Sequence, residues 1–169
     1  QIPSMLDPLA EGESAEDRED RRRRRIRAFL TERGYTETLT GSLVRKDEGT
    51  SVKLSIPAGP EASALRSSLL PGLLGSAGRN VSRGMTDLKL FEIGRVAGEK
   101  GKEEMRLALL VAGRERSVDW QEKEEKAGWF SLKGVLEELR GRFPGISIEA
   151  NVREAGTGEK KQAGLKIPV

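Results

Sequence analysis

Leu88-Lys89-Leu90-Phe91-Glu92-Ile93-Gly94-Arg95-Val96, followed beyond a charged turn by the nearly unbroken apolar run Arg106 to Ala112, is the stretch that decides the fold. Leu88, Leu90 and Ile93 supply the apolar positions of the first segment. Gly98 to Glu104 lies between the two as a turn. Two strand-length segments joined in this way predict an antiparallel pair.

Working outward from that pair, residues 113 to 127 read as a polar loop containing Trp120. Trp129 to Phe143 carries Phe130, Leu132, Val135, Leu136 and Leu139 at helical spacing and is stopped by Pro144-Gly145. Ile146 to Val152 reads as a further strand. On the other side, Pro71 at a first-turn position opens a helix carrying Leu73 and Leu74. A short helical run is expected before it, from Glu61 to Leu70. Tyr35 to Val44 and Ser51 to Ile56 read as two strands around the turn Lys46 to Thr50.

The first helix spans Ala15 to Arg33. Ser14 fits its N-cap, with Asp17 three positions on as the reciprocal acid, and Gly34 stops it. Acids four residues ahead of arginines (Asp17 and Arg21, Glu19 and Arg23, Asp20 and Arg24) support its first half. Its second half places Ile26, Phe29 and Leu30 on one stripe, extended by the aliphatic stems of Arg22 and Arg33. The resulting order is an α+β arrangement, an antiparallel β-sheet flanked by helices. Residues 1 to 13 read as a linker from an upstream domain, 14 to 155 as the core domain, and 156 to 169 as a poorly patterned tail.

Composition excludes much chemistry. The 169 residues contain no cysteine and no histidine, which removes disulfides, cysteine-based zinc sites, thiol nucleophiles and histidine-based triads. Any metal would need carboxylates alone. No stretch approaches the roughly 20 apolar residues of a membrane-spanning helix. The start Gln1-Ile2-Pro3-Ser4 has neither the basic nor the apolar region of a secretory signal. A cytoplasmic location is the expectation.

Charge is placed unevenly. Of 30 Lys and Arg and 27 Asp and Glu, residues 16 to 27 hold seven arginines (Arg18, Arg21 to Arg25, Arg27) and four acids, leaving 23 of each sign elsewhere. The body is therefore neutral, unlike the broad basic face of a dedicated nucleic-acid binder. Guanidiniums pair well with phosphates, so the run raises an RNA-binding module as the alternative function. Nearby acids and the lack of interleaved aromatics weigh against it.

No Walker or Rossmann loop occurs, and Gly72 to Gly84 lacks the lysine register of a phosphate cradle. Arg66 stands out within the apolar run Ala64-Leu65-Arg66-Ser67-Ser68-Leu69-Leu70. The favoured reading is a buried arginine paired with Glu92 or Asp87, rather than a substrate contact.

In combination the motifs resemble a known family. Ile2-Pro3, Arg25-Ile26-Arg27 with Leu30 and Gly34-Tyr35-Thr36-Glu37, Ala64 to Leu74 with Leu65, Arg66, Leu69, Leu70 and Pro71, then Asn80, Phe91-Glu92-Ile93-Gly94-Arg95 and Phe130 to Val135 resemble the catalytic-like core of bacterial phenylalanyl-tRNA synthetase beta subunits, over residues 2 to about 150. Ile56-Pro57 stands where that family has asparagine-proline, and the histidine-proline-glycine stretch expected further on is absent. The resemblance implies a truncated piece with a class II aminoacyl-tRNA synthetase-like core, no catalytic residues and no metal site.

It further implies a domain that supports phenylalanyl-tRNA formation by docking to the catalytic alpha subunit and assembling it. ATP and magnesium are expected only in the full enzyme, and tRNA only as a partner of the full assembly; self-association of the fragment stays open. Arg22, Arg25, Ile26, Phe29 and Leu30 become the candidate subunit interface. Within that set, Ile26 and Leu30 are expected to grip the sheet while the arginine-rich half reaches toward the partner.

Overall fold

The computed structural model describes residues 14–45, 52–56, 59–60, 62–98, 102–114, 128–144, 147–149 and 164–166. In chain order these form α1 (Ala15–Glu32), β1 (Thr36–Glu37), β2 (Leu43–Val44), β3 (Val52–Lys53), β4 (Ala64–Leu65), α2 (Leu70–Val81), β5 (Leu88–Ala97), β6 (Glu103–Ala112), α3 (Trp129–Arg142), β7 (Ser147–Glu149) and β8 (Gly164–Lys166). The expected linker 1 to 13 and the loop around Trp120 lie outside the described residues.

The β5–β6 hairpin is the spine. Its ten residue pairs run in antiparallel register from Leu88 opposite Ala112 to Ala97 opposite Glu103. The main sheet has the order β1-β5-β6-β8-β7. Every neighbouring pair is antiparallel except β1 against β5, where Thr36 and Glu37 run parallel to Leu90 and Phe91. β1 is the one parallel edge of this otherwise antiparallel sheet, joined to β5 by the crossover through β2, β3, β4 and α2 that a parallel pair requires.

Side chains alternate across the hairpin. Phe91, Ile93, Met105 and Leu107 pack with Ile26, Phe29 and Leu30 of α1 and with Leu139 and Phe143 at the end of α3. Leu88, Leu90, Val96 and Ala108 pack with Leu69 and with Leu73 and Ala77 of α2. Both faces of the two central strands are thus covered, which explains why β6 reads as a nearly continuous apolar run rather than as an alternating one. Among the described residues, no helix is long and apolar enough to cross a membrane.

The caps of α1 follow the sequence. The Ser14 Oγ accepts from the Asp17 amide at 3.0 Å, and the Ser14 amide donates to the Asp17 carboxylate at 3.1 Å. Gly34 has φ +79°, and the amides of Gly34 and Tyr35 donate to the carbonyls of Thr31 and Leu30, closing the helix in a Schellman turn. The i,i+4 ladder is rearranged: Arg23, expected opposite Glu19, pairs with Asp20 instead. Arg27 turns to Glu37 at 2.7 Å and Arg33 to Glu138 at 2.7 Å, so α1 is tied to β1 and α3.

Four expectations need correction. The helical run expected from Glu61 to Leu70 is not found: Glu61 lies outside the described residues, residues 62–69 are not helical, and Leu70 is already the first residue of α2, while Ala64–Leu65 is the middle strand of a second sheet, β2-β4-β3. Backbone pairing there, including Arg66 N–H to the Ser42 carbonyl at 2.9 Å, overrides the helix preference of Ala and Leu. Likewise β2 and β3 do not pair with each other, as the strands read around Lys46 to Thr50 would; both pair with β4. On the helices, Phe130 is 85% exposed and Leu74 is 48% exposed, so the buried stripes are narrower than the apolar pattern. Finally, the supposed tail contributes β8, which inserts between β6 and β7.

Candidate functional site

Two arrangements gather the residues singled out above, one inside the fold and one on its surface. The inner one begins at Arg66, which leaves β4 just ahead of α2 and passes beneath β5. Its Nη1 lies 2.7 Å from the Glu92 carboxylate, 2.9 Å from the Thr40 hydroxyl and 3.1 Å from the Thr40 carbonyl. Its Nε donates to the Arg95 carbonyl at 3.1 Å, and its own carbonyl accepts from the Ala97 amide at 2.7 Å. Glu92 is 1% exposed and accepts further from the Thr40 hydroxyl at 2.8 Å and the Thr40 amide at 3.2 Å.

A buried ion pair loses hydration on both sides and is tolerated only where the remaining polar capacity is met. Here it is met by Thr40 and by backbone carbonyls. Two glycines make the space. A Cβ on Gly94 would collide with the Arg66 guanidinium and come within 3.2 Å of Leu69 Cδ2, and one on Gly72 would lie 2.8 Å from Thr40 Cβ. The motif therefore folds onto itself: Arg66, Gly72, Glu92, Gly94 and the Arg95 backbone meet at one point. Leu69 is buried beside it at 2% exposure, while Phe91, at 0%, faces the other side of β5 toward α1. Leu65 is half-buried in β4, Leu70 begins α2 with Pro71 exposed behind it, and the Arg95 side chain points outward to Glu103 at 2.9 Å.

Of the two partners weighed for Arg66, Glu92 is the one it takes. Asp87 instead pairs with Arg114 at 2.7 Å, and hydrogen bonds from the Arg114 side chain and amide hold its carboxyl below the usual 3.8. Thr40 and Gly72 were not legible as members of the network. Thr40 is a threonine in a threonine-rich stretch, and Gly72 reads as an ordinary residue after a proline.

The surface arrangement is an open groove of about 260 Å³ between α1 and the end of α3, lined by Arg18, Arg21, Arg22, Arg25, Arg142, Phe143 and Pro144. Arg22 donates to the Pro144 carbonyl at 2.8 Å. The Arg25 guanidinium lies 5.6 Å from the centre of the Phe143 ring, and that ring meets Phe29 edge-on at 6.1 Å. Arg33 stacks on the other ring, 3.6 Å from the centre of Phe29. Such stacking fixes guanidiniums without neutralising them.

Of the five interface candidates, Ile26, Phe29 and Leu30 are 0%, 3% and 0% exposed and lie in the chain's own core. They pack there against Phe91, Ile93, Met105 and Leu107 of the sheet. Arg22 and Arg25 remain at the surface, in the groove. Arg142, Phe143 and Pro144 escape a sequence reading because they come from the far end of the chain. Only the packing of α3 on α1 brings them there.

The family described as phenylalanyl tRNA synthetase beta chain CLM domain matches residues 2–156. The chain is 35% identical over 145 residues to the phenylalanine--tRNA ligase beta subunit of Listeria monocytogenes, covering 78% of this chain and 18% of that one. It is 37% identical over 149 residues to the beta subunit of Synechococcus elongatus (85% and 18%) and 36% identical over 141 residues to that of Coxiella burnetii (78% and 17%). The chain thus spans less than a fifth of the length of these relatives. Among solved structures, a histidine--tRNA ligase subunit from Alicyclobacillus acidocaldarius superposes with TM-score 0.56 at 21% identity, covering 89% of this chain and 47% of that one, a likeness of fold.

Proposed function

The chain belongs to the phenylalanyl-tRNA synthetase beta chain family, and from that premise we propose that it is a non-catalytic, class II synthetase-like core of a phenylalanine-tRNA ligase beta subunit. Its work is to dock against the catalytic alpha subunit in the cytoplasm and hold the assembled enzyme together. ATP and magnesium act in the full enzyme, outside this domain, and tRNA is engaged by the full assembly.

The observation that carries this reading is the internal engagement of Arg66 and Glu92. They are the polar side chains of the family motif set deepest in the fold, and each is bonded to the other, to Thr40 or to backbone. An arginine whose Nε and Nη1 already donate to protein acceptors, and a carboxylate that is 1% exposed, serve to lock β4, β5 and the approach to α2 together. Substrate chemistry needs such groups aimed at a cleft. A rigid sheet locked in this way instead supplies a stable platform, and α1 with its arginines lies across that platform, toward the surface.

Co-expression with the alpha subunit followed by size-exclusion chromatography tests the reading: the two chains are expected to elute together. A pyrophosphate-exchange assay on this chain alone is expected to give no turnover. Separate elution, or measurable exchange, overturns it.

The second reading, an RNA-binding module, is favoured by the arginine-lined groove. It predicts tRNA binding whose affinity falls with salt at a slope near −0.9 per neutralised phosphate on duplex RNA, by analogy with DNA. Loss of that slope on replacing Arg21 to Arg25 would support it over docking.

A further inference from the structure

The groove between α1 and the end of α3 carries, on Arg22, Arg25 and Arg142, positive charge that the fold orients through neutral partners. Arg22 is held by the Pro144 carbonyl, Arg25 by the Phe143 ring, and Arg142 sits 5.5 Å from the centre of the Phe29 ring. Each of these orienting partners is neutral. Among the described residues, no carboxylate lies within ion-pair distance of Arg18, Arg22, Arg25 or Arg142. Glu138, the acid that feels Arg142 at longer range, is itself paired with Arg33.

Helical spacing accounts for the segregation. Arg18, Arg22 and Arg25 stand four and three residues apart and share one stripe of α1. Two of the four acids of the same segment are engaged elsewhere, Asp17 at the N-cap and Asp20 with Arg23. Like charges gathered on one surface repel, and for Arg142 the fold supplies only the longer-range attraction of Glu138.

We propose that this groove is the seat of an acidic helix of the partner subunit, one that presents Asp or Glu side chains one and two turns apart. The proposal rests on the docking reading and specifies its chemistry. Carboxylates take guanidiniums bidentately, and an arginine already fixed by stacking loses little freedom when it does so. Arginine beside aromatic side chains is also the composition of interface anchors.

RNA fits less well. The stripe from Arg18 to Arg25 is only about 10 Å long, and the excess charge ends with residue 27. Phe143, the aromatic ring of the groove, is 5% exposed and lies beneath Arg25, so it offers no face for a base.

The test uses the full chain and a co-expressed alpha subunit, with affinity measured at low and high salt. Arg22→Glu combined with Arg25→Glu is expected to weaken pairing at least tenfold and to flatten its salt dependence. Arg83→Glu, a reversal at an exposed position beyond α2, is expected to stay within twofold. A synthetic helical peptide with glutamates at i, i+4 and i+7 should bind the chain and compete with the alpha subunit, and its glutamine counterpart should do neither.

Pairing by the double variant at unchanged affinity overturns the groove while leaving the docking reading intact. If the wild-type chain binds the peptide but not the alpha subunit, the docking reading falls and the partner assignment with it, while the carboxylate chemistry stands. Retention of poly(U) RNA in place of the peptide, with a steep salt slope lost in the double variant, overturns the proposal in favour of RNA. Circular dichroism checks that the double variant is folded. Should it not be, Arg18→Gln with Arg25→Gln replaces it, with the same direction of effect expected.

Discussion

The Arg66 guanidinium meets the Glu92 carboxylate at 2.7 Å in a site where the two side chains are 10% and 1% exposed. Removing either partner strands a charge in the core. Glu92→Ala is expected to lower stability by about 3–5 kcal/mol, the cost of breaking a buried pair. Arg66→Met with Glu92→Leu should cost less than the two single changes together. Urea denaturation of the four proteins of this double-mutant cycle measures the coupling, and strictly additive losses would contradict a direct pair.

Gly94 lies against the same guanidinium. Gly94→Ala adds a methyl group where the Arg66 Nη2 sits and is expected to cost about 1–3 kcal/mol, as overpacking does. In an Arg66→Met background, where the collision is relieved, the same change should be nearly silent. An equal cost in both backgrounds would mean that backbone conformation, not space, selects this glycine.

Leu30 is fully buried between α1 and the sheet, whereas Leu74 on α2 is 48% exposed. Leu30→Ala should therefore lose about 2–5 kcal/mol, and Leu74→Ala no more than about 0.5 kcal/mol. Thermal melts of both variants decide whether α1 is held by its apolar stripe or mainly by its ion pairs.

Acid should loosen the molecule in a definite window. Hydrogen bonds from Arg114 hold Asp87 below its usual 3.8, a hydrogen bond from Arg33 holds Glu138 below its usual 4.5, and the Ser14 cap holds Asp17 below 3.8. Lowered folded-state values mean that the unfolded chain takes up protons first. The stabilisation is therefore complete above the ordinary carboxylate values and is lost as pH falls through the lowered ones. All three groups lie at the surface, so added salt should shrink the effect. Denaturation midpoints followed downward from about pH 5 are expected to fall less steeply for Asp87→Asn than for the parent chain; an identical slope would exclude this pair.

The hairpin, the three helices and both ends of α1 were legible because each has a signal inside its own segment: apolar pattern for β5 and β6, Ser14 and Gly34 for the caps. Arg66 was legible as a buried cation because the apolar residues around it, from Ala64 to Leu70, carry it inward, where a guanidinium needs an acid. What escaped was fixed from outside the segment. Ala64 and Leu65 carry helix-forming residue types, yet two distant strands claim their backbone. Thr40 is chosen by Glu92, 52 residues away. The groove needs Arg142 and Phe143 beside Arg18, which no local pattern can announce.

The insertion of β8 between β6 and β7 sets an order of events. During synthesis the hairpin can close as soon as residue 112 has emerged, but β6 gains its outer neighbour only when residues 164–166 arrive, and β7 has no place until then. For the intervening stretch of translation a ten-residue, largely apolar strand presents a bare edge, the kind of edge that recruits foreign strands. The nascent domain is consequently most vulnerable to misassembly while the residues between 112 and 164 are being made, and closure of this edge waits on a pairing 58 residues apart in sequence, Leu107 with Leu165.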